Sequence, residues 1–258
     1  MKGQLLFLGT GSSTGIPVIS CTCPVCQSNS PLNKRLRPSA LLKIGKQQFL
    51  IDAGPDLRQQ ALRYQITKID GVLLTHAHHD HTAGIDELRV YHFRSKKSVP
   101  VLLSKETADD IKRRYDYIFH EHFIDDKLVT KLDLKILTHP TGKITFEGIP
   151  IQYMSYEQGK MPVNGYRIGD FAYLSDIRHY PPDIFDHLIG VKTLVISALA
   201  REPTHLHFSV DEAIAFINKV GAKKGYLTHI SHDLEHDQIN AILPPHVRLS
   251  YDGLEIDF

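Results

Sequence analysis

Apolar residues run through this chain in short blocks broken by Gly, Pro, Asp and Lys, the spacing of strands rather than of long helices. Residues 4–8 form one such block and break into GTGSSTG, a strand entering a Gly/Ser/Thr loop. Residues 40–44 and 47–51 flank Gly45-Lys46 and predict a hairpin whose second strand ends in Asp52-Ala53-Gly54. Residues 72–74 predict a short buried strand that stops at Thr75. Residues 99–103 predict another, after which Ser104 caps a helix with Ile111, Tyr115, Ile118 and Phe119 at helical spacing.

The second half repeats this grammar. Strands are expected at 144–146, 149–154, 165–168, 171–174, 193–197 and 225–227, with a helix over 210–220 behind the cap Ser209. Residues 247–251 and 254–258 flank Asp252-Gly253 and read as a hairpin. No low-complexity linker interrupts the pattern, which predicts one α/β domain, 1–258, with mixed sheets and two strand-rich halves.

Composition adds exclusions. A formal charge of +1 gives no general reason for a nucleic-acid or anionic membrane partner. No apolar run approaches the ~20 residues of a membrane span, and the start lacks the pattern of a secretory signal, so a cytoplasmic protein is expected. All 3 cysteines lie in CTCPVC (Cys21, Cys23, Cys26), a poor disulfide framework in a reducing compartment and a better metal loop. There are 16 histidines and no tryptophan. The densest group is THAHHDH at 75–81, where imidazoles and a carboxylate share one loop directly after an apolar strand.

His76-Ala77-His78-His79-Asp80-His81 fits H-x-H-x-D-H, and the chain resembles the metallo-beta-lactamase superfamily. Asp52 in LIDAG, Asp176 in YLSD and His229 in YLTH follow in the family's order. The resemblance implies an αββα four-layer sandwich with two catalytic divalent ions, zinc or manganese. His76 and His78 would bind the first ion, Asp80, His81 and His229 the second, and Asp176 would bridge them. Asp52 would orient a ligand histidine, with a purely structural strand-end role as its alternative. His232, three residues beyond His229 and without a superfamily role, becomes the fourth ligand of a structural zinc with Cys21, Cys23 and Cys26.

GTGSSTGIP, C-x-C-x-x-C and H-I-S-H together look like the branch containing the PhnP-type phosphoribosyl 1,2-cyclic phosphate phosphodiesterases, which is related to ribonuclease Z. That resemblance implies hydrolysis of a small phosphodiester, with His207 and Asp80 as catalytic residues and His205 as the competitor of His207 for the general acid. Where relatives carry a third histidine for the first ion, this chain has Gln158, which implies a weaker site, a preference for manganese over zinc, or recruitment of Glu157 or a water. RNA processing of the ribonuclease Z kind, carboxylic ester or thioester hydrolysis, and non-catalytic metal binding are the rival readings. Nucleic acid is disfavoured as a partner because no long Gly/Pro-rich arm and no basic excess is present. The oligomeric state stays open, although members of the branch often form homodimers.

Several features read more plainly. GTGSSTG lacks the ending of a nucleotide loop and is expected as a tight turn bordering the site. Lys96-Lys97 and Lys112-Arg113-Arg114 read as solvated faces. Tyr115, Tyr117 and Phe123 are expected to form an aromatic edge, and His120, His122, His139 and His179 carry no assignment.

Overall fold

The computed structural model describes residues 2–119 and 129–258; Phe123, His120 and His122 lie outside them. The first half supplies β1 (Gln4–Gly9), β2 (Ser39–Ile44), β3 (Gln47–Ile51), β4 (Gly71–Leu73), β5 (Val99–Ser104) and β6 (Leu132–Leu137). The second supplies β7 (Thr141–Phe146), β8 (Ile149–Gln158), β9 (Met161–Ile168), β10 (Phe171–Leu174), β11 (Thr193–Ser197), β12 (Lys224–Thr228) and β13 (Val247–Leu249), and β14 (Glu255–Asp257) closes the order. Helices are α1 (Pro24–Gln27), α2 (Leu57–Arg63), α3 (His79–Thr82), α4 (Arg89–Ser95), α5 (Lys105–Arg114), α6 (Asp116–Phe119), α7 (Ile184–Leu188), α8 (Val210–Val220) and α9 (His236–Ile242).

Two mixed sheets result, ordered β14-β1-β2-β3-β4-β5-β6 and β13-β12-β11-β10-β9-β8-β7. Strand alternation explains how they stack. Leu5 and Phe7 point from β1 into a cluster with Phe49, Ile51, Phe146, Ile151, Tyr166, Tyr173 and Val195, which fills the space between the sheets. Leu6 and Leu8 face the other way, onto Leu57, Leu88, Tyr91, Ala108 and Ile111 of the first helical layer. On the far side, Leu174, Leu194 and Leu227 pack against Ile184, Leu188, Phe216, Ile217 and Ile239. The fold is therefore the expected αββα sandwich. Strands buried on both faces read as continuous apolar blocks instead of alternating ones.

Two expectations need correction. The helix behind Ser104 ends at Arg114; Tyr115 leaves helical geometry (φ −117°, ψ 43°), and α6 starts anew. Ile111 and Ile118 still reach one cluster, so the periodicity survives a break it cannot reveal. Asp252-Gly253 is not a hairpin turn: β13 pairs parallel with β12, whereas β14 pairs antiparallel with β1 in the other sheet. The segment is a crossing between sheets. Asp252 anchors it by accepting from Thr10 N (2.9 Å), Thr10 Oγ1 (2.8 Å) and Leu36 N (2.8 Å). Buried Arg35 donates to Thr10 Oγ1 (2.7 Å) and to the Ser250 carbonyl (2.5 Å), tying the same loops together.

The end of β3 meets the histidine loop without clearance. Ala53 N donates to the His81 carbonyl (2.8 Å) and Gly84 N to the Ala53 carbonyl (2.8 Å). A Cβ on Gly54 would overlap the Asp80 carbonyl, and one on Gly84 the Gly54 carbonyl. Gly54→Ala is expected to destabilise the fold by about 1–3 kcal/mol through overpacking, measured by urea unfolding; unchanged stability would show that the loop yields freely.

Candidate metal centre

Asp52, the histidine loop, Asp176 and His229 each follow the carboxyl end of a strand, whereas His207 lies on the segment entering α8. The loop after β4 carries Thr75 to His78 and turns into α3 at His79, and His76, Asp80 and His81 are buried. Asp52, Asp176 and His229 follow β3, β10 and β12, all with positive φ (63°, 53° and 59°). Asp and His tolerate the left-handed region better than most residues, and here it turns the side chain off the strand and into the cleft between the sheets.

A hydrogen-bond chain sets the imidazoles. Asp52, fully buried, accepts from Thr75 N (2.8 Å) and from Thr75 Oγ1 (2.9 Å to Oδ2), and His81 Nδ1 donates to Asp52 Oδ2 (2.7 Å). Because the Thr75 hydroxyl spends its proton on Asp52, His76 Nδ1 must donate to Thr75 Oγ1 (2.9 Å). Both rings thus have Nδ1 engaged and turn Nε2 inward. His81 Nε2 stands 3.3 Å from Asp80 Oδ2 and 3.2 Å from Asp176 Oδ2, and His229 Nε2 stands 3.3 Å from Asp80 Oδ2 and 3.2 Å from Asp176 Oδ1. His81 Nε2 is nonetheless in hydrogen-bond geometry with no described group. Asp80, His81 and His229 bring one ligand atom each within 4.8 Å of one another, and with the orphaned His81 nitrogen this buried donor set fits a divalent cation.

The charges agree with that fit. Burial opposes ionisation of Asp80 and Asp176, yet flanking His81 and His229 hold both carboxyls well below the usual range. Burial also opposes charging of His81, and Asp80, Asp52 and Asp176 overcome it and raise its pKa. Burial lowers His76 and His78. A cation at these donors would compete with protons on His81, while His76 and His78 are favoured as neutral rings with a free lone pair.

Three overlapping sets of ligand atoms lie within 4.8 Å of one another: His76/His81/Asp176, Asp80/His81/His229 and Asp176/His207/His229. His78 joins none of them; its Nδ1 lies 3.0 Å from His76 Nε2. Gln158 is buried, and its Nε2 lies 3.1 Å from Asp176 Oδ1 and 2.8 Å from His207 Nε2. Glu157 is exposed on the opposite face of β8, away from the centre. His207 is 9% exposed, with Nδ1 3.3 Å from Asp176 Oδ1, and burial pushes it down to about 4. His205 is exposed, so of the two only His207 reaches the centre.

A second cluster lies at the N-terminal loop. His232 Nδ1 is 3.2 Å from Cys21 Sγ and 3.5 Å from both Cys23 Sγ and Cys26 Sγ. The Cys26 backbone N–H heads the causes that bring the Cys23 thiol down to about 6, while burial pushes Cys26 up to about 11. Ser12 N donates to the Ile230 carbonyl (2.9 Å), so the GTGSSTG turn leans on the strand end that carries His229.

Sequence reasoning passed over Arg114. Within Lys112-Arg113-Arg114 it reaches back to donate to the Ala77 carbonyl (2.6 Å) and Thr82 Oγ1 (3.1 Å), bracing the histidine loop. Nothing separates it from its neighbours in sequence. A cleft of about 290 Å³ beside His79, lined also by Ser13, Thr14, Ile19 and Arg37, is likewise illegible there.

Residues 47–230 match the model of the beta-lactamase superfamily domain. The chain belongs to the beta-lactamase superfamily. This member of the superfamily overlays a crystal structure described as a new diphosphatase from the PhnP family with a TM-score of 0.92 and 35% identity, covering 100% of this chain and 98% of that one. Zinc-bound PqqB from Methylobacterium extorquens shares the fold, with a TM-score of 0.75 at 18% identity over 99% of this chain and 100% of that one. A protein of Porphyromonas gingivalis named Octanoyltransferase is 34% identical over 257 residues, 98% of this chain and 51% of the relative. The chain thus spans about half the length of that curated relative. No helix among the described residues is long and apolar enough to cross a membrane.

Asp52→Ala would strand the buried Thr75 N–H and His81 Nδ1–H. A loss of roughly 2–4 kcal/mol is expected, with a smaller loss for Asp52→Asn, which keeps one acceptor; denaturant unfolding of both variants checks it, and equal stability to wild type would refute the role.

Proposed function

We propose that this chain is a metal-dependent phosphodiesterase acting on a small phosphodiester. The observation that carries the reading is Asp176: one buried carboxylate presents Oδ2 to His81 and Oδ1 to His229, Gln158 and His207, so it can reach two cation positions at once. The likeness over the whole chain to a PhnP-family diphosphatase supports the phosphate substrate class.

In this reading His76 and His78 would hold the first cation and Asp80, His81 and His229 the second, with Asp176 in reach of both. Two zinc or manganese ions supply Lewis acidity, which lowers the pKa of water and offsets the charge of the phosphate. The protein's own work is to fix the geometry. Asp52 and Thr75 lock two ring orientations, and the sandwich core behind them leaves the donors no freedom to collapse. His207 sits at the rim beside Asp176 and is the group placed to protonate the departing alkoxide oxygen; it would do so from its imidazolium form, which Asp176 favours and burial opposes, returning to neutral imidazole. Cys21, Cys23, Cys26 and His232 would hold a structural zinc, which would fasten the N-terminal loop near His229.

A second reading, hydrolysis of a carboxylic ester or thioester at the same centre, is favoured by the relative named Octanoyltransferase. The substrates separate the two. Protein reloaded with zinc or manganese is expected to hydrolyse bis-p-nitrophenyl phosphate faster than p-nitrophenyl octanoate or octanoyl-coenzyme A; the reverse order would install the second reading. His207→Ala is expected to lower kcat by roughly 10²–10⁴-fold with the metal content retained. Cys23→Ser is expected to remove one zinc per chain by elemental analysis and to lower the unfolding temperature; an unchanged zinc count would exclude the structural site.

A further inference from the structure

We infer that Gln158 is a positioning residue for His207: its amide donates at once to Asp176 and to His207 Nε2, and so holds the ring beside the centre with its proton on Nδ1. The tautomer stands on contacts within this chain, and its use in catalysis rests on the phosphodiesterase reading above.

The described hydrogen bonds of the Gln158 side chain run to Asp176 and His207, and none joins it to His76 or His78. Its Nε2 lies 3.1 Å from Asp176 Oδ1, and of the two ring nitrogens of His207 it is nearer to Nε2 (2.8 Å) than to Nδ1 (3.4 Å). Asp176 decides which end of the amide faces this way. An ionised carboxylate only accepts, and its other oxygen, Oδ2, already accepts from Ser175 Oγ (2.6 Å). The nitrogen must therefore be the end turned toward it, because an amide oxygen there would set two acceptors against each other. One N–H goes to the carboxylate and the second to the ring, so His207 Nε2 has to offer a lone pair. The ring proton is left on Nδ1, which faces Asp176 Oδ1 at 3.3 Å.

The other neighbours fix where the ring lies but not where its proton sits. Thr204 Oγ1 accepts from His207 N (2.9 Å) and donates to the His207 carbonyl (3.0 Å), and the ring stacks on His229 with centroids 4.9 Å apart. Gln158 stands well for the task. Strand alternation at the end of β8 sends it inward and leaves Glu157 exposed, and a Cβ on Gly159 would come within 3.0 Å of Leu206 Cδ2, so this hairpin tip already rests on the segment that carries His207. Its Oε1 is buried with no described hydrogen-bond partner. In the imidazolium form Nε2 bears a proton too, and this oxygen would receive it once the amide turns over.

Long-range proton–nitrogen correlation NMR on full-length, zinc-loaded protein, with the His207 signals assigned by their absence in His207→Ala, reads the tautomer. Wild type is expected to carry the proton on Nδ1, and Gln158→Met to move it to Nε2. Should the methionine variant fail to fold, Gln158→Glu takes its place; it offers an acceptor where the amide offers a donor and is likewise expected to move the proton to Nε2. With bis-p-nitrophenyl phosphate, the variant is expected to lower kcat about tenfold at unchanged metal content and with KM within about twofold, and to cost nothing further in the His207→Ala background. A proton on Nε2 in wild type, a tautomer unmoved by the variants, or an equal loss of kcat in both backgrounds would overturn the inference. A wild type that cleaves no phosphodiester would remove the functional reading, and the spectrum would still decide the tautomer.

Discussion

The arrangement at the mouth of the sandwich depends on one buried carboxylate. Asp176 places its two oxygens 3.2 Å from His81 Nε2 and 3.2 Å from His229 Nε2, and these histidines reach it from opposite sheets. Burial alone would drive such a group to protonate, since an ion loses its hydration there. The flanking imidazoles reverse that and keep it charged. A carboxylate in this state needs positive charge nearby, and protons or cations on the same donors are the two ways to provide it.

Everything around Asp176 serves to keep the donors apart. Without the Asp52–Thr75 relay the rings of His76 and His81 could rotate and pair with the acids directly. With it, each Nδ1 is occupied and each Nε2 is committed to the centre. The positive φ values at Asp52, Asp176 and His229 show where backbone strain was accepted to aim these side chains. Close backbone packing at Gly54 and Gly84 then fixes the loop they face. The centre's side chains emerge at strand ends backed by the core, and the histidine loop is held by close backbone contacts.

The cysteine cluster has a different logic. It lies away from Asp176, joins residues 21–26 to His232, and shares with His229 only the strand end from which both emerge. Its three sulfurs and one nitrogen lie within 4.8 Å of one another, a donor set of the kind that can hold loops together through a metal. Arg35 and Asp252 perform the same service nearby with hydrogen bonds alone.

The sequence determined the sandwich's strands where apolar blocks met turn residues, as at 47–51, 171–174 and 193–197, because strands buried on both faces leave an unmixed signal. It also named the site candidates, of which the structure brings His76, Asp80, His81, Asp176, His207 and His229 into overlapping sets and leaves His78 outside them. What it did not contain was partnership. Asp252-Gly253 has the local pattern of a hairpin, yet its flanking strands bond to different sheets, a choice made by the edges available in the folded protein. Arg114 reads like its exposed neighbours until a loop far away in sequence lies against it. His207 and His205 are equal as letters and differ only because the chain entering α8 turns one inward and leaves the other in water. Local patterns record the preferences of the backbone, whereas hydrogen bonds and shared ligands between distant segments exist only once the core has brought those segments together.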